Sequence, residues 1–165
     1  MASHDRDRAV ALSLQLARAH QELRNRLRAL KADLGRHPRP ASGADGLVAH
    51  CLAFCAAITA HHQGEDAGMF AELLRLRPDL APTVGKLVED HEMIAWILAR
   101  IAELADAPEA ALDAISAELD GLTAIVESHF SFEERAISAA LDGGTPDTGW
   151  SAMVFGFRSA PSPPR

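Results

Sequence analysis

Four segments of the chain carry apolar residues at alternating steps of three and four, which is the spacing of one helical face. The first segment shows this spacing in Leu16, His20, Leu23, Leu27, Leu30 and Leu34. The pattern predicts helices over about residues 7–34 and 45–76, a third helix capped near Thr83 and a fourth that opens near Pro108. Gly35 is expected to cap the first helix, and Asp142, Gly143 and Gly144 to stop the fourth.

No segment shows the alternation of a strand, so the predicted fold is all-α. Four long helices with short links predict an antiparallel up-down-up-down four-helix bundle over residues 1–144. After Gly144 the helical pattern gives way to glycines, prolines and the apolar residues Trp150, Met153, Val154, Phe155 and Phe157. Residues 145–165 are therefore expected to form an irregular tail that packs on the bundle, with residues 159–165 disordered.

Composition narrows the class of protein. A chain of 165 residues is long enough for one domain with a real core, and its net charge of −7 argues against binding to nucleic acid or to anionic membranes. No apolar run reaches the length of a membrane span, and the first ten residues lack the features of a signal peptide, so a cytoplasmic location is expected. Cys51 and Cys55 are interpreted as small buried apolar residues.

The most informative motif is a repeat of His-x-x-x-Glu followed by an acid. One copy is His61 to Asp66, and the other is His129 to Glu134. A lone histidine precedes each copy at a similar distance, His20 before the first and His91 before the second. Apolar residues flank all four histidines at helical spacing, which predicts that they face the interior.

The repeat supplies six potential metal ligands: His20, His61, Glu65, His91, His129 and Glu133. Residues four apart share one helical face, so each histidine of the repeat can point the same way as its glutamate. Burying six such groups without a cation is very costly, which favours a pair of metal ions. Nitrogen and oxygen ligands suit iron, manganese or zinc, and carboxylates can bridge two ions. Two bridging glutamates and four terminal histidines would leave iron with room for an oxo or hydroxo bridge and an exchangeable site.

Four neighbouring residues are second candidates: His62, Asp66, Asp90 and Glu134. His62 and Asp66 repeat the four-residue spacing, but they are rotated by about 100° from His61 and Glu65. They are therefore interpreted as residues that support the ligands or lie at the surface. Asp90 and Glu134 flank ligands and can either orient an imidazole or remain solvated.

This constellation resembles the hemerythrin-like family, whose cation-binding domains are named for a His-His-Glu pattern. The resemblance covers roughly residues 10–141 and rests on the segments ARAHQELRNRL, TAHHQGEDAGMF, VEDHEMIAWIL and ESHFSFEERAI. It implies a four-helix bundle that holds two non-heme iron ions. It also implies that His20, His61, His91 and His129 are terminal ligands and that Glu65 and Glu133 bridge the ions.

The chain departs from the oxygen-carrying members of that family at two positions. Those members have a second histidine on the third helix where this chain has Ala95, and an aspartate ligand at the position of Glu134. Loss of the third-helix ligand would make the two halves nearly equivalent, although Asp90, Glu92, water or a tail residue can complete the shell. Near equivalence favours redox chemistry on bound oxygen or peroxide over reversible carriage.

The leading hypothesis is therefore a centre of two iron ions, with manganese or zinc less favoured, that binds O2, peroxide or NO. The expected activity is that of an oxidoreductase of the catalase, peroxidase or oxidase type. Two alternatives stay open: a carrier or sensor of O2, NO or iron without turnover, and an oxidase of a small organic substrate whose entrance the tail lines. The sequence leaves the oligomeric state open.

Overall fold

The computed structural model describes residues 10–36, 44–106 and 112–159. All regular elements in these three ranges are helical, so the prediction of an all-α fold is confirmed. The long helices are α1 (Leu12–Arg36), α2 (Ala44–Gly64), α4 (Ala81–Ala105) and α5 (Leu112–Asp142), and the short ones are α3 (Phe70–Leu76) and α6 (Ser151–Phe155). Short 3-10 turns occur at Pro78–Leu80 and Gly156–Ser159. Among the described helices, none is both long and apolar enough to cross a membrane.

Three of the predicted helix ends differ from the structure. α1 begins at Leu12 and runs through Gly35 to Arg36, so Gly35 does not cap it. α4 begins at Ala81, which places Thr83 inside its first turn instead of at its N-cap. Pro82 fits the first turn because the backbone N–H groups there have no partner within the helix.

The end of the fourth long helix agrees with the sequence pattern. α5 stops at Asp142, and Gly144 follows with a φ of 109°, a conformation that favours glycine. The predicted opening of this helix at Pro108 lies outside the described residues.

A single π-helical turn, Glu65–Met69, joins α2 to α3, and the hydrophobic spacing did not predict it. The tail crosses the helix here at very close range. A Cβ atom added to Gly64 would lie 2.8 Å from the Cβ of Met153, and one added to Gly68 would overlap the Cβ of Trp150. The two glycines thus allow the tail to approach, and the wider turn shifts the register of every residue after Glu65.

Each of the four long helices packs against two others. α1 contacts α2 and α5, and α4 contacts the same two helices. Ion pairs cross these interfaces between Arg24 and Glu127, between Lys31 and Asp120, and between Arg100 and Glu118. Along each of the interfaces with α5, residues near the end of one helix meet residues near the start of the other.

The interior consists of two apolar clusters with polar side chains between them. The first cluster includes Leu23, Phe54, Ile58, Ile94, Leu122, Val126 and Phe130, and the second includes Leu16, Met69, Leu73, Leu87, Ile137 and Leu141. Leu16, Leu23, Leu27, Leu30 and Leu34, the leucines of the first predicted helical face, are all buried. Each large apolar side chain of this kind contributes about 1.5–3 kcal/mol by its burial. The free energy gained by this apolar burial can offset the cost of burying a polar layer between the two clusters.

The tail is more ordered than predicted over its described part, residues 145–159. It forms α6, and Trp150, Val154 and Phe155 are buried in the second apolar cluster. Arg26 of α1 donates a hydrogen bond of 2.8 Å to the carbonyl oxygen of Phe157. Ser159 ends a 3-10 turn, and the rest of the segment predicted to be disordered, residues 160–165, lies outside the described residues.

The two cysteines lie on α2, where neither forms a disulfide. Cys51 is buried in the first apolar cluster, and Cys55 packs against that cluster. Burial raises the pKa of Cys55 to about 11, so its thiol stays protonated at neutral pH. Both therefore behave as small apolar side chains.

Candidate metal centre

The polar layer consists of six side chains that five helical elements bring to one place: His20, His61, Glu65, His91, His129 and Glu133. α1 supplies the first residue, α2 and the π turn the next two, α4 the fourth and α5 the last two. All six are buried, with exposed fractions between 0% and 4%. The six residues singled out by the sequence repeat thus converge at the centre of the molecule.

Each glutamate of the layer lies between histidines from different helices. Glu65 contacts Nε2 of His61 directly, and its Oε2 lies 3.9 Å from Nε2 of His91. Glu133 Oε2 lies 3.5 Å from Nε2 of His20 and 3.4 Å from Nε2 of His129. The layer has two halves, one with His20 and His61 and the other with His91 and His129. Each carboxylate therefore lies near one histidine of each half.

Two overlapping groups in this layer have the spacing of metal ligands. His20, His61 and Glu65 form one group, and Glu65, His91 and Glu133 form the other. Within each group the ligand atoms lie no more than 4.8 Å apart. The shared carboxylate of Glu65 joins the two groups, so the arrangement can hold two neighbouring cations.

Each histidine of the layer uses its outer nitrogen, Nδ1, for a hydrogen bond. Nδ1 of His20 lies 2.9 Å from Glu134 Oε1, and Nδ1 of His61 lies 2.7 Å from the carbonyl oxygen of Val154. Nδ1 of His91 lies 2.7 Å from Asp66 Oδ1, and Nδ1 of His129 lies 3.1 Å from Asp90 Oδ2. Because carbonyl and carboxylate oxygens only accept, each Nδ1 donates its proton. In the neutral imidazole this leaves the lone pair on Nε2, which faces the centre.

The inward atoms lack partners of their own. Nε2 of His20 and of His61 and all four carboxylate oxygens of Glu65 and Glu133 are buried, and among the described residues the only polar atoms that they approach belong to the layer itself. Nε2 of His91 lies 3.1 Å from Nε2 of His129, so two lone pairs face one another. Groups buried in this way cost free energy unless something positive lies among them. Cations bound by nitrogen and carboxylate ligands fit this requirement.

Burial sets the protonation states of the layer. It raises the pKa of Glu65 to about 8, and burial together with the charge of Glu65 raises the pKa of Glu133 well above its usual value. It lowers the pKa of His20 well below its usual value, and it lowers that of His129 to about 4. The imidazoles of His20 and His129 are therefore neutral at neutral pH, as metal ligands must be, while the carboxylates resist ionisation until a cation compensates them.

Of the two sequence interpretations of His62, a residue that supports the ligands or one at the surface, the structure excludes the second. Its ring is only 5% exposed, and its Nε2 is buried without a hydrogen-bond partner. The ring stacks on His91 with 3.8 Å between centroids. His62, His91 and His129 form a third group whose ligand atoms lie within 4.8 Å of one another. The surface alternative for His62 is therefore wrong, because α2 buries both sides of its inner face.

The carbonyl of Val154 is the contact that sequence reasoning missed altogether. A backbone oxygen leaves no signal in side-chain identity, and this one comes from a segment 93 residues further along the chain. Gly64 at the end of α2 and Gly68 in the π turn were the available hint, since they mark a place where another segment comes close.

A cavity of about 170 Å³ adjoins the polar layer between α2 and α4. Its lining residues are Thr59, His62, Gln63, Asp66, His91, Glu92, Ala95 and Leu98. None of them belongs to the tail. The side of the layer formed by His62 and His91 thus has open space beside it, whereas His20 and His61 are fully buried.

Comparison with known proteins agrees with this geometry. A search of curated proteins and a search of solved structures both give no significant match. The family model for the hemerythrin HHE cation binding domain matches residues 13–141, which is most of the chain. The resemblance inferred from the sequence is thereby confirmed: this chain belongs to the hemerythrin family of cation-binding domains.

Proposed function

We propose that the chain holds two iron ions in its polar layer and uses them to bind and reduce O2 or peroxide, with NO as a further ligand. In this proposal His20 and His61 hold one ion and His91 and His129 the other. Glu65 and Glu133 bridge the two ions, with an oxo or hydroxo group between them. Zinc is less favoured because a centre for redox chemistry with O2 calls for a metal that changes valence. Manganese can change valence, and it is less favoured only because the family resemblance implies iron.

The proposed scaffold is an antiparallel up-down-up-down bundle of α1, α2 with α3, α4 and α5. Contacts between the ends of neighbouring helices support this arrangement. Ser13 near the start of α1 donates its backbone N–H to Asp142 at the end of α5, at 3.0 Å. His50 of α2 pairs with Asp33 near the end of α1, at 3.0 Å. Contacts of this kind are expected between neighbours that run in opposite directions.

The observation that carries the proposal is the set of partnerless atoms in a closed interior. Two imidazole nitrogens and four carboxylate oxygens of the polar layer are buried without hydrogen bonds. Leaving each one unsatisfied costs about 1–3 kcal/mol, and the sum would rival the 5–15 kcal/mol by which a typical domain is stable. Two divalent cations bridged by the glutamates would satisfy every one of these atoms. A metal-free structural bundle gives these atoms no partner outside the polar layer within the described ranges.

The protein's own residues would keep the centre rigid and dry. The His20 ring stacks on Phe130 with 3.9 Å between centroids, and the tail covers His61 from the other side. The outer hydrogen bonds of the four histidines fix their tautomers and ring orientations. When bound, iron would supply one-electron redox chemistry and open coordination positions for a small ligand.

The cavity favours a small ligand over a bulky organic one. Its volume of about 170 Å³ lies below the roughly 300–1,000 Å³ of typical organic ligand pockets. Asp66 and Glu92 line it and offer carboxyl groups that can pass protons to a ligand that is being reduced. No tail residue lines this cavity, so it does not favour the alternative of an oxidase with a tail-lined entrance.

Anaerobic reconstitution with Fe²⁺ followed by exposure to air tests the proposal. We expect two iron ions per chain and a near-ultraviolet absorption band from an oxo bridge to ferric iron. Binding of less than one metal ion per chain, with no such band, would refute it. A kinetic assay then separates catalysis from carriage. Catalytic loss of hydrogen peroxide supports redox turnover, whereas release of intact O2 without peroxide consumption identifies a carrier or sensor.

A further inference from the structure

The second half of the polar layer contains one more imidazole than the first. His20 and His61 are the histidines of the first half, and both are fully buried. In the second half His62 adds a ring to those of His91 and His129, with the ligand atoms of the three within 4.8 Å. The sequence repeat implies equal halves, but the side chains do not form equal halves.

We propose that His62 is a metal ligand of the second half, so that one ion is held by two histidines and the other by three. This inference rests on the proposed di-iron centre and specifies which residues distinguish its two ions. In this proposal His62 provides the ligand that a histidine at the position of Ala95 provides in the oxygen-carrying members of the family.

The environment of the ring supports a ligand role over simple packing. Nε2 of His62 is buried, yet no hydrogen-bond donor or acceptor meets it in the described structure. The ring is also perpendicular to that of His129, with 5.2 Å between centroids. A buried nitrogen without a partner, with ligand atoms of His91 and His129 within 4.8 Å, matches what a metal ion requires.

Space at Ala95 explains how α2 can supply this ligand. Ala95 and His62 line the same cavity on facing helices. The methyl group of Ala95 leaves room that a larger side chain on α4 would fill. His62 enters the interior beside α4, while His61 one residue earlier points towards α1 and the tail.

Substitutions at His62 separate a ligand from a packing residue. His62→Phe keeps a flat ring that can stack on His91 but removes the nitrogen. His62→Glu loses the ring but offers a carboxylate oxygen to a metal. Gln63→Ala is the matched control, because Gln63 is exposed and lines the same cavity without belonging to any ligand group.

The measurements are anaerobic titration with ⁵⁷Fe²⁺ and Mössbauer spectroscopy of the loaded protein, with circular dichroism to verify folding. For the unmodified protein and for Q63A we expect two iron ions per chain and two quadrupole doublets of equal area. H62F should lower the affinity for one of the two iron ions by about 100-fold or more. Loss of a residue that only supports a metal ligand lowers metal affinity by about 10–100-fold. H62E should retain two ions and change one doublet only.

Each outcome bears on one of the two proposals. If the unmodified protein binds two ions but H62F binds both with unchanged affinity and unchanged doublets, His62 is a packing residue and the inference fails. If H62F does not fold, H62E decides, because unchanged doublets in that variant also overturn the inference. If the unmodified protein itself binds fewer than two ions, the proposed di-iron centre fails instead.

Discussion

The stability of the metal-free protein should fall as the pH rises above neutrality, because Glu65 has no cation to compensate it. Its folded-state pKa is raised to about 8 from an ordinary value of 4.5, with burial as the main cause. The folded state therefore binds more protons than the unfolded state between these two values. The stabilisation is complete below pH 4.5, declines progressively between pH 4.5 and 8, and is almost entirely lost above pH 8.

The size of the effect follows from the pKa difference. Each unit of separation between folded and unfolded pKa corresponds to about 1.4 kcal/mol. Starting at pH 6.5 avoids the buried histidines, whose lowered pKa values matter only below that pH. Between pH 6.5 and pH 8.5, ionisation of Glu65 alone should remove about 2 kcal/mol. Glu133, whose pKa is also raised, acts in the same direction.

Urea denaturation of the protein in the presence of a chelator, at several pH values, measures this loss. A loss of about 2 kcal/mol corresponds to a midpoint lower by about 1 M. Glu65→Gln should reduce the dependence by the share of Glu65, about 2 kcal/mol, and leave that of Glu133. Glu72→Gln, which removes a partly exposed carboxylate paired with Arg75, should leave it intact. Metal-loaded protein should show little dependence, because bound cations keep the carboxylate ionised. A metal-free protein whose stability is constant or rises from pH 6.5 to 8.5 would refute the reasoning.

Three further predictions concern packing around the layer. Truncation after Gly144 removes the carbonyl that orients His61 and should weaken metal binding by about 10–100-fold in an equilibrium titration; an unchanged affinity would show that the tail only packs. Gly68→Ala should lower the free energy of unfolding by about 1–3 kcal/mol through its clash with the tail, whereas Gly121→Ala, in open space on α5, should raise it by about 0.5–1 kcal/mol. Equal effects of the two glycine substitutions in urea would contradict this contrast. Phe130→Ala should cost about 3–5 kcal/mol in thermal or urea unfolding, and a cost below 1 kcal/mol would mean that the ring is not a core residue.

The periodic pattern of the sequence was sufficient to predict the helices and most of the polar layer. Residues such as His20 and His91 lie in apolar seams at steps of three and four, and burial follows directly from that register. The helix interiors were therefore predictable, while ends such as Gly35 and Thr83 were not. Ends depend on small free-energy differences between one further turn and a cap, which local sequence specifies weakly.

His62 shows where a one-helix projection fails. A helix that packs on neighbours at both sides buries an arc of 100° or more, so adjacent residues can both face inward. His61 turns towards α1 and His62 towards α4, each within that arc. Only the positions of the neighbouring helices reveal that both residues belong to the interior.

The sequence by itself determined that this protein is all-helical, that its core contains histidines and glutamates in a repeated order, and that it is a hemerythrin-family domain. These properties follow from residue types and their spacing, which are local. The tertiary structure alone decided the π turn at Glu65, the hydrogen bond from His61 to the tail and the inward position of His62. Each of these depends on which distant segments meet, and that is decided by the packing of whole helices and the tail against one another.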